Sequence, residues 1–186
     1  MKEIFEQKKK RAKAILARLT KAYPYAKIVL KYHNNIQILV AVILSAQCTD
    51  KKVNEVTGKL FKKYKTVDDF ANAECKIFEQ EVRSTGFYHN KAKHIIEAAK
   101  MIREKFGGEL PKTMKEMIEL PGVARKTANI VLGNAYGIVE GIAVDTHVRR
   151  VSRHLDLTNE QDPVKIEQDL MKLFDKKDWF RLTYLL

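Results

Sequence analysis

Cysteine is nearly absent from this 186-residue sequence, which contains only Cys48 and Cys75. The two residues lie far apart and lack the spacing of metal ligands, so neither a disulfide framework nor a zinc site is indicated and both are expected to be ordinary packing residues. Long apolar runs are also absent, because the best candidate, Ile38–Leu44, is far shorter than the roughly 20 residues that span a bilayer. Residues 1–11 lack the apolar core and cleavage site of a secretory signal. These absences predict a soluble cytoplasmic protein.

Acidic residues are in deficit, since 23 Asp and Glu face 35 Lys and Arg and leave a net charge of +12. The basic residues are spread along the chain, which indicates a polyanionic partner, either nucleic acid or an anionic membrane surface. The net charge alone is also compatible with a basic soluble protein of another kind. No Gly/Ser linker, low-complexity segment or repeat interrupts the chain, and its 45% hydrophobic content can bury a core in one domain or two small ones.

Apolar residues recur at helical spacing through almost the whole chain, which predicts an all-α protein. The exception is Lys27–Tyr32, whose Ile-Val-Leu run could form a short strand. Side chains that cap helices mark several starts, with Asn35 expected ahead of the second helix and Thr113 ahead of a short one. The predicted helices cover 4–22, 36–46, a segment that begins at Thr49 or Asp50, 67–71, 75–83, a segment that begins at Asn90 and stops at Gly107, the short helix after Thr113, 124–136, a helix from Asp145 through Arg153, a helix over 164–174 capped by Asp162, and a last pattern from Trp179.

The final apolar pattern, Trp179 to Leu186, stops without a glycine, a basic last turn or a polar tail. This is typical of a chain that is cut within an element. A natural short terminus that docks on the core is the alternative. A domain boundary fits best at 137–141, where two glycines flank a break between helices.

The most informative stretch is LPGVARKTAN at 120–129, which predicts a helix, a tight hairpin and a second helix. The turn at Pro121 and Gly122 directs the first N–H groups of the second helix at solvent, where they and the helix dipole can bind a backbone phosphate. Arg125 and Lys126 lie where the anion would bind. A simple corner between two helices is the alternative.

Lys126 falls in the first turn of that second helix, where the dipole opposes its charge. Partial burial would act in the same direction and lower the lysine pKa, so that more neutral amine is present at pH 7. A neutral amine attacks an electrophilic carbon and can form a Schiff base. A plain phosphate contact is the alternative role.

Asp145 begins another predicted helix, a position where an aspartate is usually an N-cap. The apolar residues before it should bury it beside the hairpin, and basic residues follow it at His147, Arg149 and Arg150. Such a carboxylate could accept a proton from the lysine or stabilise positive charge that develops on a sugar ring.

Four ordered blocks between about Ile36 and Leu186 resemble the helix-hairpin-helix DNA glycosylases, and closely the endonuclease III branch. They are LSAQCTD at 44–50, GFYHNKA at 86–92, the hairpin, and VDTH at 144–147. The resemblance implies two helical subdomains with a cleft between them. One is a helical barrel domain over 28–136 with the helix-hairpin-helix at about 113–136, and the second joins 1–27 to 137–186. It also implies a bifunctional enzyme of base excision repair that removes oxidised pyrimidines from duplex DNA and nicks the strand.

The resemblance assigns the chemistry to two residues. Lys126 would attack C1′ of the damaged nucleotide and expel the base, and the Schiff base would undergo β-elimination, with Asp145 as the partner of the lysine. Gln47 would fill the space that the extruded base leaves, and Phe87 would wedge into the opposite strand. Further DNA contacts are expected at Gly122, Ala124, Arg125, His147, Arg149 and Arg150. Without the resemblance, Gln47 also fits the polar end of a buried helix, and Phe87 fits a core aromatic after a turn.

The implied partner is damaged double-stranded DNA, bound by a monomer in the cytoplasm that is nucleoid-associated when acting, with no membrane partner. The chain departs from the family pattern in two ways. Ala124 replaces the usual second glycine of the hairpin, which disfavours a positive φ there and predicts a weaker or shifted phosphate grip. The four closely spaced cysteines that hold an iron–sulfur cluster in relatives are also missing, so no metal cofactor is expected and the second domain reads as truncated before that loop. A non-catalytic DNA-binding module is the alternative function, and a chain that folds poorly without the missing part is a third possibility.

Overall fold

The structure is a computed structural model that describes residues 4–186. The all-α prediction is confirmed, because this part of the chain contains helices and no strand. The helices are α1 (Phe5–Ala22), α2 (Asn35–Leu44), α3 (Asp50–Lys63), α4 (Val67–Ala71), α5 (Cys75–Val82), α6 (Tyr88–Lys105), α7 (Met114–Met117), α8 (Arg125–Tyr136), α9 (Thr146–His154), α10 (Pro163–Leu173) and α11 (Lys176–Leu185), with a 3-10 turn at Arg83–Thr85. Across residues 4–186, no helix is both long and apolar enough to cross a bilayer.

The chain divides into two compact units. One is continuous and spans Val29–Ile138. The other, here called the terminal unit, joins the described residues up to Ile28 to Val139–Leu186.

Helix α2 forms the centre of the Val29–Ile138 unit. Every residue from Ile36 to Leu44 is buried, and all of them except Gln37 are apolar, as expected for a helix surrounded by others. Helices α3, α6 and α8 pack around it. A second part of the core is aromatic, where Phe70 contacts the rings of Tyr64 and Phe78 at centroid distances of 5.4 and 6.2 Å.

The terminal unit has its own apolar core. Helix α1 packs on α10 and α11. The buried cluster takes in Ala12, Ile142, Val144, Val148, Leu157, Ile166, Leu170, Leu173, Phe174 and Leu182. Arg11 closes the end of α9, because its guanidinium donates to the carbonyls of Leu155 at 2.6 Å and Asp156 at 3.1 Å. These carbonyls belong to the helix C-terminus, where a cation is favoured.

The segment Lys27–Tyr32 forms no strand. Its extended backbone pairs with a side chain, because the Asn54 amide accepts from Lys31 N–H at 2.8 Å and donates to the carbonyl of Val29 at 3.0 Å. One primary amide carries both a donor and an acceptor, so it occupies the place that a neighbouring strand would otherwise take.

Three predicted helix starts were wrong, and one of them is that of α11, which begins at Lys176 rather than at Trp179. Asn34, not Asn35, caps α2, because the Asn34 side chain accepts from Gln37 N–H at 3.1 Å while Asn35 is already helical. Helix α6 begins at Tyr88 rather than Asn90, directly after a turn in which Phe87 has a left-handed backbone. The caps expected at Thr113, Asp145 and Asp162 are present, and of the two residues proposed for α3 the cap is Thr49.

Replacing Asn34 by alanine is expected to destabilise the protein by about 1 kcal/mol, because α2 loses its capping acceptor. The Asn34 amide also donates to the carbonyl of Lys65 at 2.8 Å, and this bond is lost as well. Asn35→Ala is the control and should change the free energy of unfolding by less than about 0.5 kcal/mol. Urea denaturation of both variants measures the difference. Equal losses would contradict the assignment of the cap.

Candidate functional site

The hairpin lies between α7 and α8 and is anchored by apolar residues on both sides. Leu120 and Val123 are buried, and Val123 N–H donates to the carbonyl of Leu120 at 3.1 Å, which closes the turn. Gly122, at the exposed tip, has a φ of 77°. A Cβ built on Gly122 would lie 2.9 Å from Cβ of His94 on α6. Glycine is therefore required here both by its backbone conformation and by the His94 side chain packed against it.

The N-terminus of α8 follows directly. Its N-cap is Ala124, which has no side-chain acceptor, and its first turn holds no acidic residue. A helix N-terminus without a capping oxygen or carboxylate keeps its positive end open to an external anion. Ala124 has a φ of −87°, which any residue adopts, so the strain expected from the loss of the second hairpin glycine does not arise.

Lys126 is the second residue of α8 and is half-buried, in agreement with the expected partial burial. The residues that follow it, Ala128 and Asn129, are buried and fix the face of α8 that turns inward. Arg125, the first residue of the helix, is also half-buried. The two cationic side chains thus flank the helix end at which an anion would bind.

Asp145 belongs to the terminal unit and is the N-cap of α9. Its Oδ1 accepts from the N–H groups of His147 at 2.8 Å and Val148 at 2.9 Å. Both cap bonds use the same oxygen, so Oδ2 takes no part in the cap. The residues from Ile142 to Val144 are buried, but Asp145 itself is only half-buried, and the expectation of a buried carboxylate was wrong in degree. The chain leaves the buried core at Asp145, since the next residue, Thr146, is exposed.

Helix α9 presents a basic face. Its inner side is held by Val148 and Ser152, and His147, Arg149 and Arg150 are exposed. An open cavity of about 520 Å³ is lined by Arg149, Arg150, Arg153 and His154, together with Thr146, Asp156, Thr158 and Asn159. Such a surface attracts phosphate without reading base sequence.

Gln47 and Phe87 are exposed residues with left-handed backbones, at φ 53° and φ 48°. Phe87 leaves 64% of its surface open to solvent, so the alternative of a core aromatic is wrong. Gln47 lies beyond the end of α2 at Leu44 with its side chain exposed, so it does not end a buried helix. A bulky residue in this backbone region is strained by about 1–3 kcal/mol, and such strain clusters at functional positions.

The candidate residues divide between the two units. The Val29–Ile138 unit holds Gln47, Phe87, Gly122, Ala124, Arg125 and Lys126, and the terminal unit holds Asp145, His147, Arg149 and Arg150. Sequence reasoning missed His94, because its contact with the hairpin joins distant parts of the chain. The left-handed backbones also gave no sequence signal, since neither residue is a glycine or an asparagine.

Comparisons with known proteins identify the family of the chain. The family model of the HhH-GPD superfamily of base excision DNA repair proteins matches residues 40–176. Endonuclease III of Synechocystis sp. is 52% identical over 172 residues, which cover 92% of this chain and 78% of that protein. Endonuclease III of Bacillus subtilis is 47% identical over 158 residues, which cover 84% of this chain and 72% of that protein. A trapped covalent endonuclease III–DNA intermediate superimposes with a TM-score of 0.92 at 40% identity, over 95% of this chain and 83% of that one. The chain belongs to the HhH-GPD superfamily of base excision DNA repair proteins.

The cysteines do not fit the iron–sulfur cluster that the resemblance implies. The sequence has two thiols where such a cluster takes four thiolates. Cys48 is half-buried and Cys75 is exposed, so the expectation that both are packing residues was wrong for Cys75. Within residues 4–186 no group of three or more His, Cys, Asp or Glu side chains could hold a metal ion.

Gly122→Ala is expected to destabilise the protein more than Gly137→Ala. Both glycines have positive φ, at 77° and 68°, and each alanine costs about 1–2 kcal/mol for that conformation. Only Gly122 adds a clash, with His94, because nothing lies within 4 Å of a Cβ built on Gly137. Chemical denaturation gives the two stabilities, and fluorescence anisotropy gives the affinity for undamaged duplex DNA, which should fall only for Gly122→Ala. Matching losses of stability would argue against the clash.

Proposed function

We propose that this chain is a bifunctional DNA glycosylase and abasic-site lyase of base excision repair that removes oxidised pyrimidines from duplex DNA. The observation that carries the proposal is Lys126, a half-buried amine in the first turn of a helix with no capping side chain, directly after the hairpin. The similarity to a trapped covalent endonuclease III–DNA intermediate supports a reaction that passes through a covalent bond to DNA.

Binding begins with the phosphate backbone. The N-terminus of α8 offers N–H groups and the positive end of its dipole, and Arg125 adds a full charge. The exposed His147, Arg149 and Arg150 of α9 supply further phosphate contacts. The net charge of +12 favours association with any duplex, so this part of recognition does not depend on sequence.

Selection of the lesion requires that the damaged base leave the stack. Gln47 and Phe87 are suited to this step because both project into solvent from turns that hold them in fixed backbone conformations. Gln47 has an amide that can replace lost base hydrogen bonds, and Phe87 has an aromatic ring that can stack between bases. We assign the vacated space to Gln47 and the opposite strand to Phe87.

In the chemical step, neutral Nζ of Lys126 forms a bond to C1′ while the glycosidic C–N bond breaks and its electron pair leaves with the base. The sugar ring then opens as the amine adduct becomes a protonated Schiff base. Loss of a proton from C2′ expels the 3′ phosphate by β-elimination, and water hydrolyses the Schiff base to free the lysine. Asp145 is the proposed partner, accepting the ammonium proton or stabilising positive charge on the sugar. None of these steps involves a metal or cluster, and we propose that the chain uses none.

The reaction needs one lysine and one carboxylate, and a single chain carries both. We therefore propose a monomer whose partner is damaged duplex DNA. Its place of action is the cytoplasm, in association with the nucleoid, with no membrane partner.

Sodium borohydride is expected to trap the protein covalently on duplexes that contain thymine glycol or a bare abasic site, and more weakly on uracil or oxidised guanine. Lys126→Ala should abolish the trapped band and leave binding to abasic DNA largely unchanged, because the reduced bond is the lysine Schiff base. Lys100→Ala, an exposed residue of α6, removes the same charge and should trap normally. Binding without trapping by the parent chain would favour a non-catalytic hairpin module, and trapping by Lys126→Ala would exclude this lysine as nucleophile.

Asp145→Asn is expected to lower base excision by at least about 100-fold while the protein keeps its stability. Asparagine caps a helix as well as aspartate does, so only the negative charge is lost. Asp162→Asn is the matched control, since Asp162 caps α10 in the same way, with Oδ1 accepting from Val164 and Lys165 N–H at 3.0 Å each. Single-turnover excision and thermal unfolding separate the two roles. Similar activity in both variants would reduce Asp145 to a cap.

A further inference from the structure

Lys91 is a buried cation that the proposed reaction does not use. It lies one turn into α6 and is only 5% exposed. Its Nζ donates to the carbonyl of Leu44 at 2.8 Å and to the carbonyl of Thr85 at 2.7 Å. Burial lowers the pKa of Lys91, which reflects the cost of keeping a charge away from water. An apolar residue of similar length would avoid that cost. The reason for a buried ammonium at this position must therefore lie in the two carbonyl groups that it bonds.

The two carbonyls lead directly to the two strained residues. Leu44 ends α2, where unpaired carbonyls and the negative end of the dipole favour a cation, and Gln47 follows in the next turn. That turn is closed by Cys48 N–H, which donates to the carbonyl of Ser45 at 3.1 Å. Thr85 ends the 3-10 turn, and Phe87 follows it after one glycine.

Lys91 also holds Phe87 through its backbone. Its N–H donates to the carbonyl of Phe87 at 3.1 Å, in the first turn of α6. One residue therefore bonds to the carbonyl of Leu44, which precedes the turn that holds Gln47, and to the carbonyls of Thr85 and Phe87. Left-handed backbones at non-glycine residues persist only where the surroundings over-determine them, and the two bonds of the Lys91 ammonium, with the helix bond of its N–H, contribute to that constraint.

We propose that Lys91 is a positioning residue whose ammonium joins the Leu44 and Thr85 carbonyls and thereby sets the spacing between Gln47 and Phe87, the pair that enters the duplex. This inference rests on the proposed function, since the spacing matters only if the pair acts during base extrusion. Two side chains that must occupy one distorted base step need a fixed separation, and a displacement of about 1 Å can cost about 100-fold in rate.

The test compares two reactions of the same chain. Excision of thymine glycol from a duplex requires extrusion, whereas nicking at a preformed abasic site in single-stranded DNA has no opposite strand to wedge and no gap to fill. Lys91→Met keeps the length of the side chain and removes the ammonium. We expect duplex excision to fall by about 10- to 100-fold and single-strand nicking to stay within about twofold of the parent. Both rates are divided by the fraction of protein that borohydride traps on the single strand. This division corrects the comparison for any difference in the amount of folded protein.

Lys100→Met is the matched control, because it removes a lysine charge from the exposed side of the same helix and should leave both reactions unchanged. A mutant cycle then tests whether Lys91 acts through Gln47 and Phe87. In a Gln47→Ala, Phe87→Ala background, adding Lys91→Met should cause no further loss of excision, because residues in one network are not additive.

Three results would overturn the inference: parent-like excision by Lys91→Met, an equal fall in both reactions, or a loss that multiplies with that of the Gln47 and Phe87 substitutions. If Lys91→Met does not unfold cooperatively, Lys91→Gln replaces it, since its amide can still donate to one carbonyl. The ratio of duplex excision to single-strand nicking is then compared with that of the parent in the same way. Failure of Lys91→Gln to fold as well would mark Lys91 as purely structural. A parent chain that neither excises nor traps would instead refute the proposed function, and this inference with it.

Discussion

The first half of α6 is the constraint on which the DNA-facing parts of the Val29–Ile138 unit depend. It begins at Tyr88, directly after the exposed Phe87, places Lys91 against two carbonyls one turn later, and packs His94 against Gly122 in the turn after that. Phe87, Gln47 and the hairpin, to which we assign the wedge, the filling of the gap and the phosphate contact, are therefore all held by contacts with this one helix. All three lie in turns, and their shared contacts with one helix suit groups that would have to meet a distorted duplex together.

This arrangement carries costs that the rest of the unit offsets. Two left-handed residues and one buried ammonium each disfavour the folded state. The apolar helix α2, which is buried along nearly its whole length, and the aromatic cluster around Phe70 supply the opposing hydrophobic free energy. Strain at Gln47 and Phe87 also means that selection for stability alone would favour glycine at these positions and remove the side chains that the proposed function needs.

Much of the architecture is predictable because its causes are local. Helical periodicity identified the elements, and Thr113, Asp145 and Asp162 were recognised as caps from residue type and position. Asn34 was misassigned because two adjacent asparagines are equivalent until the backbone decides which one reaches Gln37. The Ile-Val-Leu run was ambiguous because the group that satisfies it, Asn54, is distant in sequence.

The candidate site was predicted unevenly for the same reason. Lys126 and its hairpin are contiguous, so the sequence itself predicts amine chemistry there, whereas the roles of Gln47 and Phe87 came from the family resemblance alone. The positive φ values of those two residues, the contact of His94 with Gly122 and the bonds of Lys91 all depend on the packing of distant segments. No residue-by-residue pattern contains that information, because it is set by which helices meet.

The side chain of Asn54 has a consequence for behaviour at high concentration. It engages Lys31 N–H and the carbonyl of Val29 in an extended segment where Val29 is 61% exposed and, nearby, Tyr25 is 88% exposed. An extended, apolar segment with open backbone groups is a template on which another molecule can add a strand. Because a single amide occupies one edge of that segment, we expect it to lower the tendency of the chain to self-associate.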